Sequence, residues 1–169
     1  MTLLRLVPGL EFEPVAALVD RLRESGQTVA TAESLTAGLV AAVLTSVPGS
    51  SAVVRGGVVV YGTDLKTTLA GVDADLLAER GAVDEEVARQ LAAGARARCA
   101  ATIGVGLTGV AGPDPQDGVA PGTVWVAVAG PRGSAVVRLS IPGGREEVRA
   151  GAVRGALDLL AAEVDRLIE

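Results

Sequence analysis

Apolar residues recur at helical spacing from Glu11 to Glu24, where Val15, Leu18, Val19 and Leu22 share one face and charges take the others. Ser25-Gly26 closes that segment. Thr28 to Ala32 reads as a short strand that runs straight into Glu33-Ser34-Leu35-Thr36-Ala37-Gly38. There the period changes to a helix of small residues reaching about Ser46, and Pro48-Gly49-Ser50-Ser51 forms a turn. Ala52-Val53-Val54 and Val58-Val59-Val60-Tyr61 are apolar at successive positions, as a strand buried on both faces is. Asp64 to Leu69 and Asp73 to Glu79 read as short helical turns. Asp84 caps a longer helix to about Cys99, with Glu85 and Glu86 in its first turn. Thr102 to Thr108 is again β-like and empties into a Gly/Pro/Asp loop from Gly109 to Gly122. Thr123–Ala129 and Ser134–Ile141 read as a hairpin across Gly130-Pro131-Arg132-Gly133. Gly143-Gly144 opens a last amphipathic helix to the C-terminus. Strands alternating with helices, without repeat or linker, predict one α/β domain over residues 1–169. Its expected build is three layers, α/β/α, around a mixed sheet.

Composition narrows the chemistry. The chain of 169 residues has no histidine and one cysteine. That removes Ser-His-Asp and Cys-His catalysis, His-ligated metals, an internal disulfide and a CxxC pair. Of 15 basic residues, 14 are arginine and Lys66 is the single lysine. Only a lysine can lose its proton near neutral pH. The net charge of −5 and the lack of any Lys/Arg run argue against nucleic-acid binding, and three aromatics offer no platform for stacking bases. A charge-free run of 21 residues separates Glu33 from Arg55, but Pro48-Gly49 and six Ser/Thr break it into helix, turn and strand rather than a membrane span. The start Met-Thr-Leu-Leu-Arg lacks the features of a signal peptide, so a cytoplasmic location is expected.

Three segments place reactive groups where an α/β sheet collects ligands, beyond the C-terminal ends of strands. In the first, Ser34 and Thr36 precede a helix whose free amides hold an anion; either hydroxyl serves as a nucleophile or as an ordinary cap. In the second, Tyr61 and Lys66 lie within five residues of each other at a strand end. A serine in a histidine-free chain needs another base, and neutral lysine is the one available. An unshifted lysine is neutral only about one time in a thousand at pH 7, so the role demands shielding from water; a surface lysine is the alternative. The third is Gly106-Leu107-Thr108-Gly109-Val110-Ala111-Gly112-Pro113, which fits neither a P-loop nor a dinucleotide fingerprint. Further on, Gly143-Gly144-Arg145 sets a guanidinium at a helix start, for an anion or for a neighbouring carboxylate. Arg149 and Arg154 follow it as one helix side or part of an anion site.

Taken together these segments resemble the CinA C-terminal domain family. Thr31-Ala32-Glu33-Ser34-Leu35-Thr36-Ala37-Gly38 is similar to its T-A-E-S-C-T-G-G signature. Val47–Ala52, Arg55–Tyr61 with Lys66 five residues on, Gly81–Val83, Thr108–Pro113, Gly122–Val124 and Gly144–Glu146 follow in the family's order, so the likeness covers residues 15 to 165. Leu35 stands for the usual Cys, Ala37 for Gly and Gly144 for the common Asp, and the loop Asp114–Ala120 has its own composition. Many members hydrolyse the carboxamide of nicotinamide mononucleotide to nicotinic acid mononucleotide and ammonia. The resemblance implies Ser34 as nucleophile, Lys66 as its base and Tyr61 assisting. It implies Thr108 and Gly109 as lining and Arg145 as the holder of the substrate's phosphate or carboxamide region. Amides from Thr36 to Gly38 are the expected oxyanion donors. The reading calls for no metal or cofactor, a small nucleotide substrate, and neither nucleic acid nor membrane as partner; a homo-oligomer, dimer or higher, is compatible with it. The alternative is a nucleotide-binding or regulatory module that keeps the pocket without turnover.

Overall fold

The computed structural model describes residues 7–169; the first five residues, weighed above as a possible leader, lie outside them. The elements run α1 (Phe12–Glu24), β1 (Val29–Glu33), α2 (Leu39–Thr45), β2 (Val54–Val59), α3 (Thr63–Ala70), α4 (Ala74–Arg80), α5 (Glu85–Arg98), β3 (Ile103–Gly109), β4 (Thr123–Gly130), β5 (Gly133–Ser140) and α6 (Arg145–Ile168). The five strands form one open mixed sheet in the order β2-β1-β3-β4-β5. β2, β1 and β3 run parallel, and β4 and β5 continue antiparallel. The α/β/α layering is as expected from the alternation of elements.

Side-chain size along the strands decides which helices lie on which face. Successive residues point to opposite faces. One face of the central strands carries Val29, then Ile103, Val105 and Leu107, then Val124, Val126 and Val128; these pack against α1, α2 and α6. The opposite face carries Ala30 and Ala32, Gly104 and Gly106, Ala127 and Ala129, brought side by side by the register Ala30↔Gly104↔Ala129 and Ala32↔Gly106↔Ala127. On that flat patch α5 lies almost in backbone contact. A Cβ added to Gly106 would sit 2.4 Å from the Ala92 nitrogen and 2.6 Å from the Ala88 oxygen, and one on Gly104 would sit 1.9 Å from the Ala92 oxygen. α3 and α4 complete the same layer through Ala70, Val72 and Leu77. From β1 the chain moves outward to β2 through α2 on one face. It then returns across β1 to β3 through α3, α4 and α5 on the other, which is how two crossovers of opposite direction both stay right-handed. β1 and β3 therefore flank a topological switch point, with their C-terminal ends side by side.

Three expectations change. The segment from Val58 to Tyr61 reads as a strand covered on both faces; only Val58 and Val59 belong to a strand, the edge strand β2, where partly covered and exposed residues alternate, and Val59 and Tyr61 are 46% and 59% exposed. Arg55-Gly56-Gly57 in its middle supplies no apolar surface for a second helix layer to cover. Ala52, expected to open a strand with Val53 and Val54, instead closes the 3₁₀ turn Ser50–Ala52, and β2 begins at Val54. The small-residue helix begins only at Leu39, because Ala37 (φ 49°) and Gly38 (φ 95°) take left-handed backbone that a helix cannot continue through. No helix among the described residues is long and apolar enough to cross a membrane.

The close seat of α5 makes a direct prediction. Gly106→Ala forces the helix and β3 apart and should lower stability to chemical denaturation by about 2 kcal/mol or more, as overpacking of a tight interface does; an unchanged midpoint would contradict the packing described.

Candidate active site

The C-terminal ends of β1 and β3 open into a cavity of about 300 Å³. Ser34 and Leu35 close it from the end of β1, Tyr61 and Lys66 from the β2–α3 corner, and Thr108 and Gly109 from the end of β3. Ala82 and Val83, the loop after β3 as far as Gln116, and Arg145 at the start of α6 complete the wall.

Lys66 reaches the cavity because α3 is turned inside out. Its buried positions are Lys66 and Ala70, while Leu65 and Leu69 on the other side stand exposed. A lysine among the most buried side chains of a protein is rare unless it is paired or used. Lys66, 2% exposed, forms no ion pair among the described residues. Its Nζ donates to the Ser34 Oγ at 3.1 Å and to the Val60 carbonyl at 2.8 Å. Burial without a counter-charge disfavours the ammonium form and lowers the Lys66 pKa from 10.5 to about 8. At pH 7 about a tenth of the molecules then carry a neutral amine at this position, against far less than a hundredth for an exposed lysine.

Ser34 sits at a sharp corner between β1 and the turn that leads to α2. Its amide donates to the Leu107 carbonyl of β3, and its own carbonyl accepts from the Ala37 amide. Neither Ser34 nor Thr36 caps α2. The carboxylate of Glu33 does so, accepting from the amides of Val40 (2.9 Å) and Ala41 (3.0 Å) and from the hydroxyls of Thr36 (2.7 Å) and Thr31 (3.0 Å). Thr36 is thus buried against Glu33, and neither it nor Gly38 lines the cavity. Among the described residues the amides of Leu35 and Thr36 have no hydrogen-bond partner, whereas that of Ala37 is engaged.

Thr108 faces the cavity with its hydroxyl committed to the Ala82 carbonyl at 2.6 Å, so it holds the wall rather than offering a free donor. Arg145 bridges the mouth. One of its terminal nitrogens donates to the Gly112 carbonyl at 2.9 Å and the other to the Tyr61 hydroxyl at 3.0 Å. Tyr61 is therefore tied to Arg145 and makes no hydrogen bond to Ser34 or Lys66. One turn along α6, Arg149 donates from Nε to the Leu35 carbonyl at 2.9 Å and from Nη2 towards the Thr36 carbonyl at 3.5 Å. The structure thus brings Ser34, Lys66, Tyr61, Thr108, Gly109 and Arg145 to one cavity. Sequence reasoning had no place for Glu33 and none of this contact for Arg149; the pull of a carboxylate on amides seven and eight residues away leaves no periodic trace. Among the described residues no three His, Cys, Asp or Glu side chains group to hold a metal.

The family model for the CinA C-terminal domain matches residues 12–164. A CinA-like protein of Frankia casuarinae is 48% identical over 152 residues, covering 90% of this chain and 34% of that protein. A CinA-like protein of Anaeromyxobacter sp. is 50% identical over 146 residues, 86% of this chain and 36% of its own. The chain spans about a third of the length of these curated relatives. Among solved structures, the competence/damage inducible protein CihA of Agrobacterium tumefaciens superposes with a TM-score of 0.87 at 36% identity, over 94% of this chain and 95% of that one. A CinA superfamily protein of Klebsiella pneumoniae gives 0.88 at 31% identity, over 92% and 98%. On the match over nearly its whole length and on the shared fold, the chain belongs to the CinA C-terminal domain family.

Proposed function

We propose that the chain is an amidohydrolase that converts the carboxamide of nicotinamide mononucleotide to the carboxylate, with Ser34 as nucleophile and Lys66 as base. The observation that carries the reading is the 3.1 Å contact between the Lys66 Nζ and the Ser34 Oγ in the cavity, with the amine buried and its pKa lowered to about 8. The substrate comes from the family resemblance; the chemistry comes from the residues.

In the reactive form the lysine is neutral and accepts the Ser34 proton as Oγ attacks the carboxamide carbon. The carbonyl π pair moves onto oxygen, and the unpartnered amide of Leu35, a cavity-lining residue one step before the expected donors Thr36–Gly38, supplies a donor at the same turn. Collapse of the adduct breaks the C–N bond, and the ammonium of Lys66 returns its proton to the departing ammonia. Water then attacks the Ser34 ester, giving a proton to Lys66; collapse breaks the acyl C–O bond, Lys66 passes that proton to the departing Ser34 Oγ, and the acid is released with both Ser34 and neutral Lys66 restored. Arg145 uses one donor from each terminal nitrogen on Gly112 and Tyr61 and keeps three of its five N–H groups for a phosphate at the mouth.

Three outcomes are expected. Ammonia release from nicotinamide mononucleotide should fall by at least about 10³-fold in both Ser34→Ala and Lys66→Arg, the latter because an arginine keeps the charge but cannot give up its proton. Full activity in either variant would sink the pair, and an inactive wild type that still binds the nucleotide would identify a binding module instead. Arg145→Ala should raise KM by about 10- to 100-fold, the worth of a charge-assisted contact, with kcat nearly unchanged. The kcat/KM of the wild type should climb with pH through a midpoint near 8 and level off above it, as the free enzyme's lysine deprotonates. The same shift has a stability consequence. Between pH 8 and 10.5 the unfolded chain holds a proton on Lys66 that the folded chain has lost, so this group's contribution to stability rises with pH across that window and is flat below it. Denaturation of the wild type beside Lys66→Met should show that rise only in the wild type.

A further inference from the structure

The hydroxyl of Ser34 is free to meet Lys66 because another group has taken over the work that a serine at such a corner ordinarily does. The N-cap of α2 is Gly38, which has no side chain to offer. Its role falls to the Glu33 carboxylate, 1% exposed, which reaches over the whole turn to the Val40 and Ala41 amides and also collects the Thr36 and Thr31 hydroxyls. Four donors from β1, the turn and α2 converge on its two oxygens. The first amides of α2 are thereby consumed and cannot serve an external anion.

Arg149 acts on the other side of the turn. Its guanidinium holds the Leu35 carbonyl at 2.9 Å and approaches that of Thr36 at 3.5 Å, and it stands outside the cavity that Leu35 lines. In a trans peptide the N–H points opposite to the carbonyl of the same plane. With the Leu35 carbonyl fixed on Arg149, the Thr36 amide points away from Arg149. With the Ser34 carbonyl fixed on the Ala37 amide, the Leu35 amide points away from the turn's own hydrogen bond. Among the described residues neither of these two amides has a partner, nor has that of Gly38. A cation grips the carbonyl side of the turn and an anion gathers the groups downstream of it.

We infer that Glu33 and Arg149 are a pair of positioning residues that lock the Ser34 turn, leaving its hydroxyl to Lys66 and the Leu35 amide to the anionic oxygen of the adduct. The inference rests on the amide-hydrolysis reading, and its test separates the two. Glu33→Gln replaces an acceptor oxygen by an NH₂ that faces the Val40 or Ala41 amide. Arg149→Lys keeps the charge but reaches only one carbonyl. Each variant should lose about 10²-fold in kcat, the scale of one lost oxyanion donor. KM should stay within about threefold and the pH midpoint near 8 should not move, since neither residue touches the substrate or Lys66. Ser34 is also titrated with an alkyl fluorophosphonate, followed by intact mass: the Oγ–P bond forms, the P–F bond breaks, fluoride leaves and the proton passes to Lys66. Labelling per folded molecule should slow by a similar factor in both variants.

Folded variants that keep kcat and labelling within about threefold of the wild type would overturn the inference, as would a loss confined to KM or a displaced pH midpoint. If Glu33→Gln does not fold, Arg149→Lys decides alone, because its side chain is only half-buried and caps no helix. A wild type that labels at Ser34 but releases no ammonia from nicotinamide mononucleotide would refute the substrate and leave the positioning role to be judged on labelling. A wild type that does neither would refute both.

Discussion

An amine without a counter-ion, held under the surface by a helix turned the wrong way out, is the constraint around which this molecule is arranged. Burying Lys66 while leaving Leu65 and Leu69 in water is unfavourable twice over, since it desolvates a cation and leaves apolar surface exposed. The Val60 carbonyl and the Ser34 hydroxyl accept from the amine, and neither carries a full negative charge. Had either neighbour been a carboxylate, the ammonium would have been stabilised and the base lost. Leaving Lys66 with neutral acceptors alone lets burial lower its pKa, and the stability given up at α3 is the cost of holding an amine that deprotonates near neutral pH.

That arrangement depends on the two faces of the sheet being different. The face of small residues lets α5 seat directly on β3, and α3 and α4 pack beside it. This layer carries Lys66 across the edge of the sheet to the end of β1. The face of large residues is covered by α1, α2 and α6, which bring the Glu33 cap, Arg149 and Arg145 to the same corner from the opposite side. The corner lies at the switch point where the chain leaves β1 for β2 and returns to β3, so Lys66 and Ser34 come from different crossovers. A substitution in the Ala30–Gly104–Ala129 and Ala32–Gly106–Ala127 rows would therefore be felt at Lys66 although none of these residues touches it.

Much of this was legible in the sequence, for identifiable reasons. Elimination by composition left Ser, Thr, Lys, Tyr and the carboxylates, and strand-end placement marked Ser34, Lys66, Thr108 and Gly109; none of that needs tertiary information. The helix capped by Asp84 was equally plain, because an aspartate two residues before the amide it accepts from is a local signal. What escaped was non-local. The hydrophobic pattern of α3 points Leu65 and Leu69 inward, and only the packed structure shows the reverse. β2 looked doubly buried because an edge strand next to a partly covering helix can be as apolar as a central one. The late start of α2 follows from a carboxylate seven residues upstream, a distance at which no capping rule looks.

Since desolvation alone sets the state of Lys66, that state depends on what fills the cavity. A ligand that displaces water from around Nζ increases the same burial and pushes the amine further towards neutrality, the direction attack requires. An anionic ligand opposes this, because negative charge near the amine favours the ammonium. The geometry reconciles the two by placing Arg145 at the mouth, where an exposed guanidinium with donors to spare can compensate a phosphate outside the buried part of the site. A neutral group beside Lys66 brings no charge to reverse the effect of burial. On this argument a neutral amide suits the buried part of the site better than a carboxylate, whose charge beside the amine would draw a proton onto Lys66 and remove the neutral form.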